Sequence, residues 1–479
     1  MEMKMIYDIV TIGLGPAGMA VSIMGSEMGL KVCAIEADRI GGECMNSGCI
    51  PSKSLLRMAS ARHLFSRLPN MELESSDLPG VLDPFSRIKG YVDFIREKKT
   101  MGMFRKTDLI LGQGRARFVG PDTVAVGDRV IRGRRIFICV GTKPFIPPIP
   151  GIDQVQVITN ENLFELKGIP DSMTILGGGA IGCEMAQAFS RMGCKCTLLH
   201  MDSHLLPGGD AEAGELLQQT MEREGIRVFN STKLSRVEKR GDSVAAFTEN
   251  GEEIVSERIL VAAGRKHDYS SLDLSSAGIS WETGPIRVDQ FLRTSNKKVL
   301  AVGDCNGHRL FSHAAMHQGM IGLIGCMVPW PLKHIPWPFS LKFRNYPVPW
   351  TVFTTPAVSV VGRTESELRK QGISYEVVRC EYGDYGAAIA EDVATGFIKA
   401  FVTGTGKILG VVIVGEGSGE MINEWALAIQ KGMRMLDIMF LQHSFPTMGF
   451  LTKRVSETWM MGKMESGFLK SMCRLFFRF

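Results

Sequence analysis

Two cysteines, Cys44 and Cys49, have four residues between them in the run Gly41-Gly42-Glu43-Cys44-Met45-Asn46-Ser47-Gly48-Cys49-Ile50-Pro51-Ser52-Lys53. Thiols at that spacing can close a small disulfide loop. Pro51 and Ser52 open a helix, so Cys49 falls near its N-terminus, where the local field favours a thiolate. The chemistry on offer is two-electron transfer, dithiol to disulfide and back. A zinc site would want two more ligands at matched spacing, and the sequence offers none. Two inert buried cysteines are the plainer reading; the glycine-rich setting argues against it.

The elements that must position such a pair announce themselves as a repeat. Ile9-Val10-Thr11-Ile12 is a short apolar strand, followed by Gly13-Leu14-Gly15-Pro16-Ala17-Gly18, a helical stretch, and the strand Val32–Ile35 ending at Glu36. Thr174-Ile175-Leu176 leads in the same way into Gly177-Gly178-Gly179-Ala180-Ile181-Gly182, a helix, and a strand ending at His200. In each G-x-G-x-x-G the first glycine makes the tight turn. The second lets backbone approach a pyrophosphate, and the third lets helix and strand pack closely. The helix N-terminus turns unpaired N–H groups toward the phosphates. One such motif is weak evidence; two with the same spacing are strong. They imply two dinucleotide sites flanking a redox pair.

The copies differ where the ribose is read. Glu36 can accept from a ribose diol, which suits the adenosine of FAD. His200 cannot act as a carboxylate, and Asp202 stands two residues on. A 2′-phosphate would want Arg or Lys beside it, and none is there, although a protonated His200 could help. NADH and NADPH are both left open.

With these motifs together, the sequence resembles the class I pyridine nucleotide–disulfide oxidoreductases, among them dihydrolipoamide dehydrogenase, glutathione reductase and mercuric reductase. The resemblance covers about residues 5–460. It implies an α/β fold: two Rossmann-like FAD- and NAD(P)-binding three-layer ββα domains and a C-terminal α+β dimerisation domain. The implied boundaries are 1–150 for the first FAD part, 151–272 for the NAD(P) domain and 273–345 for the second FAD part. Residues 346–460 would form the dimerisation domain and 461–479 a tail. By resemblance, Cys49 is the thiol next to the flavin and Cys44 the interchange thiol that meets substrate. Gly42 belongs to the redox segment, and Gly141 and Gly264 to the segments closing the two nucleotide portions. Asp304, in Ala301-Val302-Gly303-Asp304, would hold the ribityl chain, and the helix around His313–Gly322 would lie under the flavin. Glu184 matches the acid that pairs with Lys53 beside flavin N5. FAD and NAD(P)H are the implied cofactors and a homodimer the implied assembly.

The pattern departs from the family near the C-terminus. Disulfide-reducing members read roughly His-x-His-Pro-Thr-x-x-Glu, with the second histidine as acid–base catalyst and the glutamate orienting it. Here the segment is His443-Ser444-Phe445-Pro446-Thr447-Met448-Gly449-Phe450, so Phe445 and Phe450 replace both. A phenyl ring cannot shuttle a proton, and such help is typically worth about 10²–10⁴-fold. Mercuric reductases carry an aromatic there too, but end in a vicinal cysteine pair; this chain has only Cys473 near its end.

Two additions remain. Pro329–Phe339, within an insertion at 327–345, is too proline-rich for a regular helix; its tryptophans suit a membrane interface, a partner, a large apolar substrate or a self-packed loop. The tail, read as a helix, puts Phe468, Leu469, Met472, Leu475, Phe476 and Phe479 on one face and Lys470, Arg474 and Arg478 on another. That suits an interfacial helix or one docked on a partner subunit.

The 479 residues carry a formal charge of only +5 and eleven scattered cysteines. This gives no case for nucleic-acid binding and suits reduced thiols in the cytoplasm, with peripheral membrane contact through the tail as an option. The start shows no signal-peptide cleavage site. The uncharged stretch around Leu310–Leu332 is rejected as a membrane span because His313, His317, Gln318 and two prolines interrupt it. The reading is therefore an FAD-dependent NAD(P)H oxidoreductase that passes electrons through Cys49 and Cys44 to a small-molecule acceptor. That acceptor is a disulfide not needing the lost pair, a metal ion or a quinone; a membrane-associated electron-transfer or redox-sensing subunit is the other alternative.

Overall fold

The computed structural model describes residues 6–74, 77–334, 340–465 and 467–477. Two compact units divide the chain: Met1–Gly177, Arg191–Cys194 and Leu234–Asn345 form the first, and Gly178–Ser190, Lys195–Lys233 and Tyr346–Phe479 the second. The division runs inside the stretch 151–272.

The first unit is built on β1 (Ile6–Ile12), α1 (Pro16–Glu27) and β2 (Val32–Glu36). β1 pairs in parallel with β2 on one side and with the strand Arg129–Ile138 on the other. Val299–Ala301 joins Arg129–Ile138 in parallel, and Asp108–Leu111 extends the sheet beyond β2. The antiparallel strands Thr123–Val126 and Arg117–Gly120 complete seven. The central strands are apolar at almost every position because both faces are covered: Val10, Ile12, Cys33, Ile35, Ile136 and Ile138 are all buried in one core. α1 packs against the helix Ser312–Met327. Gly319 permits that approach, since a Cβ there would stand 2.7 Å from the Ala17 carbonyl.

The same unit holds a parallel set, Ser172–Leu176, Arg258–Val261 and Val157–Ile158. It also holds the antiparallel strands Leu234–Arg240, Ser243–Thr248 and Glu253–Ser256.

In the second unit the helix Ala180–Arg191 precedes the strand Lys195–Leu199, which pairs in parallel with Arg227–Phe229. The C-terminal part is a five-stranded antiparallel sheet ordered Trp350–Val352, Val358–Gly362, Ile408–Val414, Phe397–Val402, Glu376–Glu381. The hairpin read from the sequence is there, with Thr403–Lys407 as its turn. Helices Ser418–Lys431 and Phe450–Met464 cover the sheet around the fully buried Trp425. Buried Lys399 lies 2.9 Å from Asp210 and 3.1 Å from Glu212, so that charge is paired rather than stranded.

Gly467–Phe476 is helical, with Met472, Leu475 and Phe476 exposed. The side chains of Phe468 and Leu469, and residues Arg478 and Phe479, fall outside the described set, so the full apolar face read from sequence does too. Trp330–His334 forms a short 3-10 turn, and residues 335–339 likewise lie outside it. Among the described residues no helix is long and apolar enough to cross a membrane.

Candidate active site

The redox run folds into two short-spaced helices. α2 (Gly42–Asn46) carries Cys44, and α3 (Cys49–Arg67) begins at Cys49 itself, two residues earlier than Pro51 and Ser52 suggest. The Asn46 amide donates to the carbonyls of Ile40 and Gly42, at 3.0 and 2.8 Å, and so fixes the entry to α2. A Cβ on Gly48 would stand 2.9 Å from the Glu43 carbonyl; only glycine lets the chain double back here and bring the sulfurs together.

Both sulfurs are thiols in this structure. The Cys44 thiol hydrogen-bonds to Cys49, and that contact is the main cause lowering the Cys49 thiol from about 9 to about 6. Burial opposes the shift; Ser312, whose Oγ lies 3.2 Å from Cys49 Sγ, and the charge of Lys53 add to it. Cys44, as donor, is pushed up, with burial in second place. The contact therefore favours the thiolate on Cys49 and the proton on Cys44.

Around the pair lies a cradle of backbone. Gly13 takes φ +90, and a Cβ there would stand 2.7 Å from the Cys139 carbonyl, while one on Gly18 would stand 1.9 Å from the Gly13 carbonyl. These two glycines are packing necessities. Gly15 is different: its nearest neighbour would be Gly42 Cα at 3.9 Å, so the protein itself leaves that space open. Pro16 and Ala17 begin α1, which has neither a side-chain cap nor an acid in its first turn, leaving N–H groups for an anion.

Glu36, at the end of β2, accepts from the Leu14 and Asp38 N–H groups at 2.8 and 3.0 Å, so its carboxylate is aimed and retains capacity for a diol. Asp304 follows the strand Val299–Ala301. Burial pushes its carboxyl up to about 6, against the field of Arg265. A half-buried, poorly solvated carboxyl of this kind calls for hydroxyl donors. The open space at Gly15, the uncapped α1, the aimed Glu36 and the half-buried Asp304 fit FAD.

Several residues that hold this cradle are not evident from sequence. The Arg265 guanidinium donates to the Glu43 carboxylate (2.6 Å), the Thr142 hydroxyl (2.9 Å) and the Thr142 carbonyl (2.9 Å). It ties the redox run to the segments after Gly141 and Gly264. The Gln318 side-chain carbonyl accepts from the Gly303 N–H (2.9 Å) and the Asn306 amide (2.7 Å), pinning the turn that carries Asp304. Ser312 and Gln318 are polar residues on a nearly uncharged helix; that isolation was the available signal.

Comparison with known proteins agrees with this geometry. A profile described as pyridine nucleotide-disulphide oxidoreductase matches residues 7–319, and one described as its dimerisation domain matches 348–473. The chain belongs to the pyridine nucleotide-disulphide oxidoreductases. A dihydrolipoyl dehydrogenase of Thermus scotoductus is 33% identical over 92% of this chain and 95% of its own length. A mercuric reductase of Lysinibacillus sphaericus is 33% identical over 90% and 79%. The solved structure of the HOCl-induced flavoprotein disulfide reductase RclA from Escherichia coli superposes with a TM-score of 0.82 at 27% identity, covering 95% of this chain and all of that one. RclA has also been solved as a Cu(II) complex. Relatives in this family use FAD and NAD(P)H, and the second profile gives this oxidoreductase a dimerisation domain.

The second dinucleotide motif of this oxidoreductase repeats the glycine pattern of the first, with His200 where the first has Glu36. A Cβ on Gly177 would stand 2.3 Å from the Ala262 carbonyl, whereas at Gly179 the space is open. Ile181 is exposed and Gly182 buried at the start of the helix Ala180–Arg191. His200 is buried, and its ring lies over Gly178, where a Cβ would come within 2.7 Å of it. Its Nε2 is 2.8 Å from the Asn230 side-chain oxygen, while Nδ1 is buried without a hydrogen bond, 3.9 Å from the Asp202 carboxylate. Burial lowers its pKa. That direction disfavours the protonated His200 left open on sequence grounds.

Glu184 is buried in the second unit, and its carboxylate accepts from the Phe353 N–H at 2.9 Å. Lys53 lies on α3 in the first unit, one turn past Cys49. In the C-terminal segment Phe445 meets Phe450 edge to face, with centroids 5.3 Å apart, and Tyr385 stacks on Phe450. His443 is engaged elsewhere: Nε2 is 3.0 Å from Glu424 and Nδ1 is 3.3 Å from the Leu441 carbonyl.

Proposed function

We propose that this protein is an NAD(P)H-dependent, FAD-containing reductase that delivers electrons through Cys49 and Cys44 to an acceptor needing no proton relay from position 445. FAD, when bound, supplies the hydride acceptor and the two-electron carrier between nicotinamide and sulfur. The chain does the rest. Gly13, Gly15, Gly18, Glu36, Gly42, Gly141, Gly264 and Asp304 hold the flavin nucleotide; Gly177, Gly179, Ile181, Gly182 and His200 hold the nicotinamide nucleotide. Lys53 is assigned to the flavin's reactive edge, with Glu184 as the family-type acid for that lysine, and its place one helical turn from Cys49 supports this.

Two electrons and one proton convert the Cys44–Cys49 disulfide to a thiolate on Cys49 and a thiol on Cys44. Delivery of both electrons to the acceptor, with release of that proton, restores the S–S bond. The observation that carries the reading is the meeting of the two thiols in hydrogen-bond contact, with the Ser312 hydroxyl 3.2 Å from Cys49 Sγ. A hydroxyl on that sulfur supports Cys49 as the flavin-side thiolate and leaves Cys44 as the interchange thiol.

Anaerobic titration with NADH or NADPH tests it. A long-wavelength thiolate-to-flavin band should appear at two electrons per subunit and be absent in Cys49→Ala. A wild type that shows only direct flavin bleaching refutes the mechanism.

A soft metal ion is the second reading. Phe445 removes the proton relay but leaves electron delivery intact, two soft sulfurs face each other, and the related RclA was solved with Cu(II). Cu(II)- or Hg(II)-dependent NADH oxidation lost in Cys44→Ser would support it. The boundaries 1–150, 151–272, 273–345 and 346–460, a homodimer and a cytoplasmic setting complete the proposal.

A further inference from the structure

A cavity of about 370 Å³ opens in the first unit at the C-terminal end of the helix Ser312–Met327. Cys326, on its wall, is 14 residues from Ser312, about 20 Å along the helix axis at the usual rise. The cavity is therefore separate from the redox pair. Its volume falls within the roughly 300–1,000 Å³ usual for small-molecule sites.

Four cations line it from three stretches of chain: Arg135 on the strand Arg129–Ile138, Arg293 and Lys297 before Val299–Ala301, and Lys333 on the turn after the helix. Phe291 adds an aromatic wall. The carboxylate beside them is Asp289, 2.7 Å from the Arg293 guanidinium and 3.8 Å from the Lys297 ammonium. The helix C-terminus adds about half a negative charge. Four positive charges thus face about one and a half negative ones, leaving a surplus of more than two. Lys333 has its basicity lowered chiefly by burial; the fields of Arg293 and Arg135 add to this, while Cys326 and Asp289 oppose it. Bringing like charges together around a half-enclosed volume costs free energy that a bound anion offsets.

We propose that this cavity binds a dianionic oxyanion of the phosphate-monoester class, its head among the four cations and its apolar body against Phe291. Nothing in the redox chemistry uses these residues, and Lys333 belongs to the proline- and tryptophan-rich insertion that the oxidoreductase reading leaves without a role. A soluble phosphate ester and the head group of phosphatidic acid share this chemistry.

The test uses the full-length FAD-loaded protein, with n-hexyl phosphate in calorimetric titration and sedimentation with phosphatidylcholine vesicles made with or without phosphatidic acid. Wild type should bind hexyl phosphate, and Arg135→Gln/Lys333→Gln should bind it at least about tenfold more weakly, as loss of charged hydrogen bonds implies. Flavin absorbance and reduction by NADH should be unchanged in that variant. Arg135→Lys/Lys333→Arg, which keeps both charges, should retain binding within a few-fold. Binding of free hexyl phosphate without vesicle sedimentation assigns a soluble ligand. Sedimentation that requires phosphatidic acid and is lost in the glutamine variant assigns the lipid head group. Equal affinity in wild type and glutamine variant, or no binding in either arm, overturns the proposal, and with NADH reduction intact it does so without touching the redox reading.

Discussion

Cys49 Sγ lies 3.2 Å from the hydroxyl of Ser312, a residue 263 positions further along the chain. With Cys49 as thiolate, the serine is the donor, and it stands at the first position of the helix Ser312–Met327. The redox pair is therefore tuned from a distant segment as well as from its own loop.

Removing that donor should cost the thiolate one hydrogen bond, worth about 1 kcal/mol or somewhat more, which corresponds to about one pH unit. In the reduced protein the Cys49 thiolate should titrate with a midpoint near 6, and Ser312→Ala should raise it by about one unit. Cys44→Ala removes the larger cause and should raise it further. Thiolate ultraviolet absorbance against pH measures both; an unmoved midpoint in Ser312→Ala means the contact carries no such role.

Asp304 presents the opposite case. Its folded pKa, about 6, lies above the ordinary carboxylate value of 3.8, with desolvation the main cause. A raised carboxyl contributes stability below the unfolded pKa and loses it as pH rises through the folded value. Flavin-free Asp304→Asn should therefore match flavin-free wild type near pH 4. It should become the more stable of the two between pH 4 and 6 and keep an advantage of up to about 3 kcal/mol at pH 7. Its FAD affinity should fall. Thermal melts across pH, with FAD binding measured separately, check both halves.

The glycines divide into two kinds, and substitution should separate them. Gly18→Ala drives a methyl against the Gly13 carbonyl, so it should disturb the turn itself and yield little folded protein. Gly15→Ala meets nothing in the chain closer than 3.9 Å. It should fold with a flavin-free melting temperature close to wild type, yet purify largely colourless because the methyl takes the place left for the pyrophosphate. Equal flavin content in Gly15→Ala and wild type would falsify this division.

At the second motif, burial lowers the pKa of His200 and so disfavours a charge that could meet a 2′-phosphate, and the charged neighbour in the sequence, Asp202, repels one. NADH should bind more tightly than NADPH by about tenfold or more, the order of a single close charge interaction. Asp202→Arg should narrow or reverse the ratio. Direct binding titrations with the two nucleotides decide it, and a wild type preferring NADPH contradicts the argument.

The parts of this molecule legible in the sequence are those enforced by local chemistry. Gly13, Gly18 and Gly177 are required by backbone approach, so the motif and its geometry coincide. Glu36 ends, and Asp304 closely follows, a strand whose apolar run fixes where it stops. What escaped the sequence is what distant segments do to one another. Arg265 reaching Glu43 and Thr142, Gln318 pinning Gly303 and Asn306, and Ser312 touching Cys49 have no local pattern, because their spacing is set by the tertiary fold. His200 shows the limit from the other side. Its position was clear, but its charge state depends on burial over Gly178, which sequence does not display.

The pairing of Phe445 with Phe450 carries the last prediction. Phe445 is 71% exposed, so replacing it should cost little stability. Phe450 packs against Tyr385 and the core of the C-terminal sheet, so an acid there removes buried apolar contact and should destabilise by about 1–3 kcal/mol. Phe445→His alone places an imidazole at the lost position without a carboxylate to orient it, and should raise lipoamide turnover only slightly. Phe445→His/Phe450→Glu supplies both groups and should raise it by about 10- to 100-fold, part of the range for general acid–base help, with a pH optimum set by the new histidine. Metal-ion-dependent NADH oxidation should not change in either variant, because it draws on the sulfurs and not on a proton donor. If the double variant folds, binds flavin and still gains nothing on lipoamide, the two phenylalanines are not what keeps this protein from disulfide substrates, and the restriction must lie at the approach to Cys44 instead.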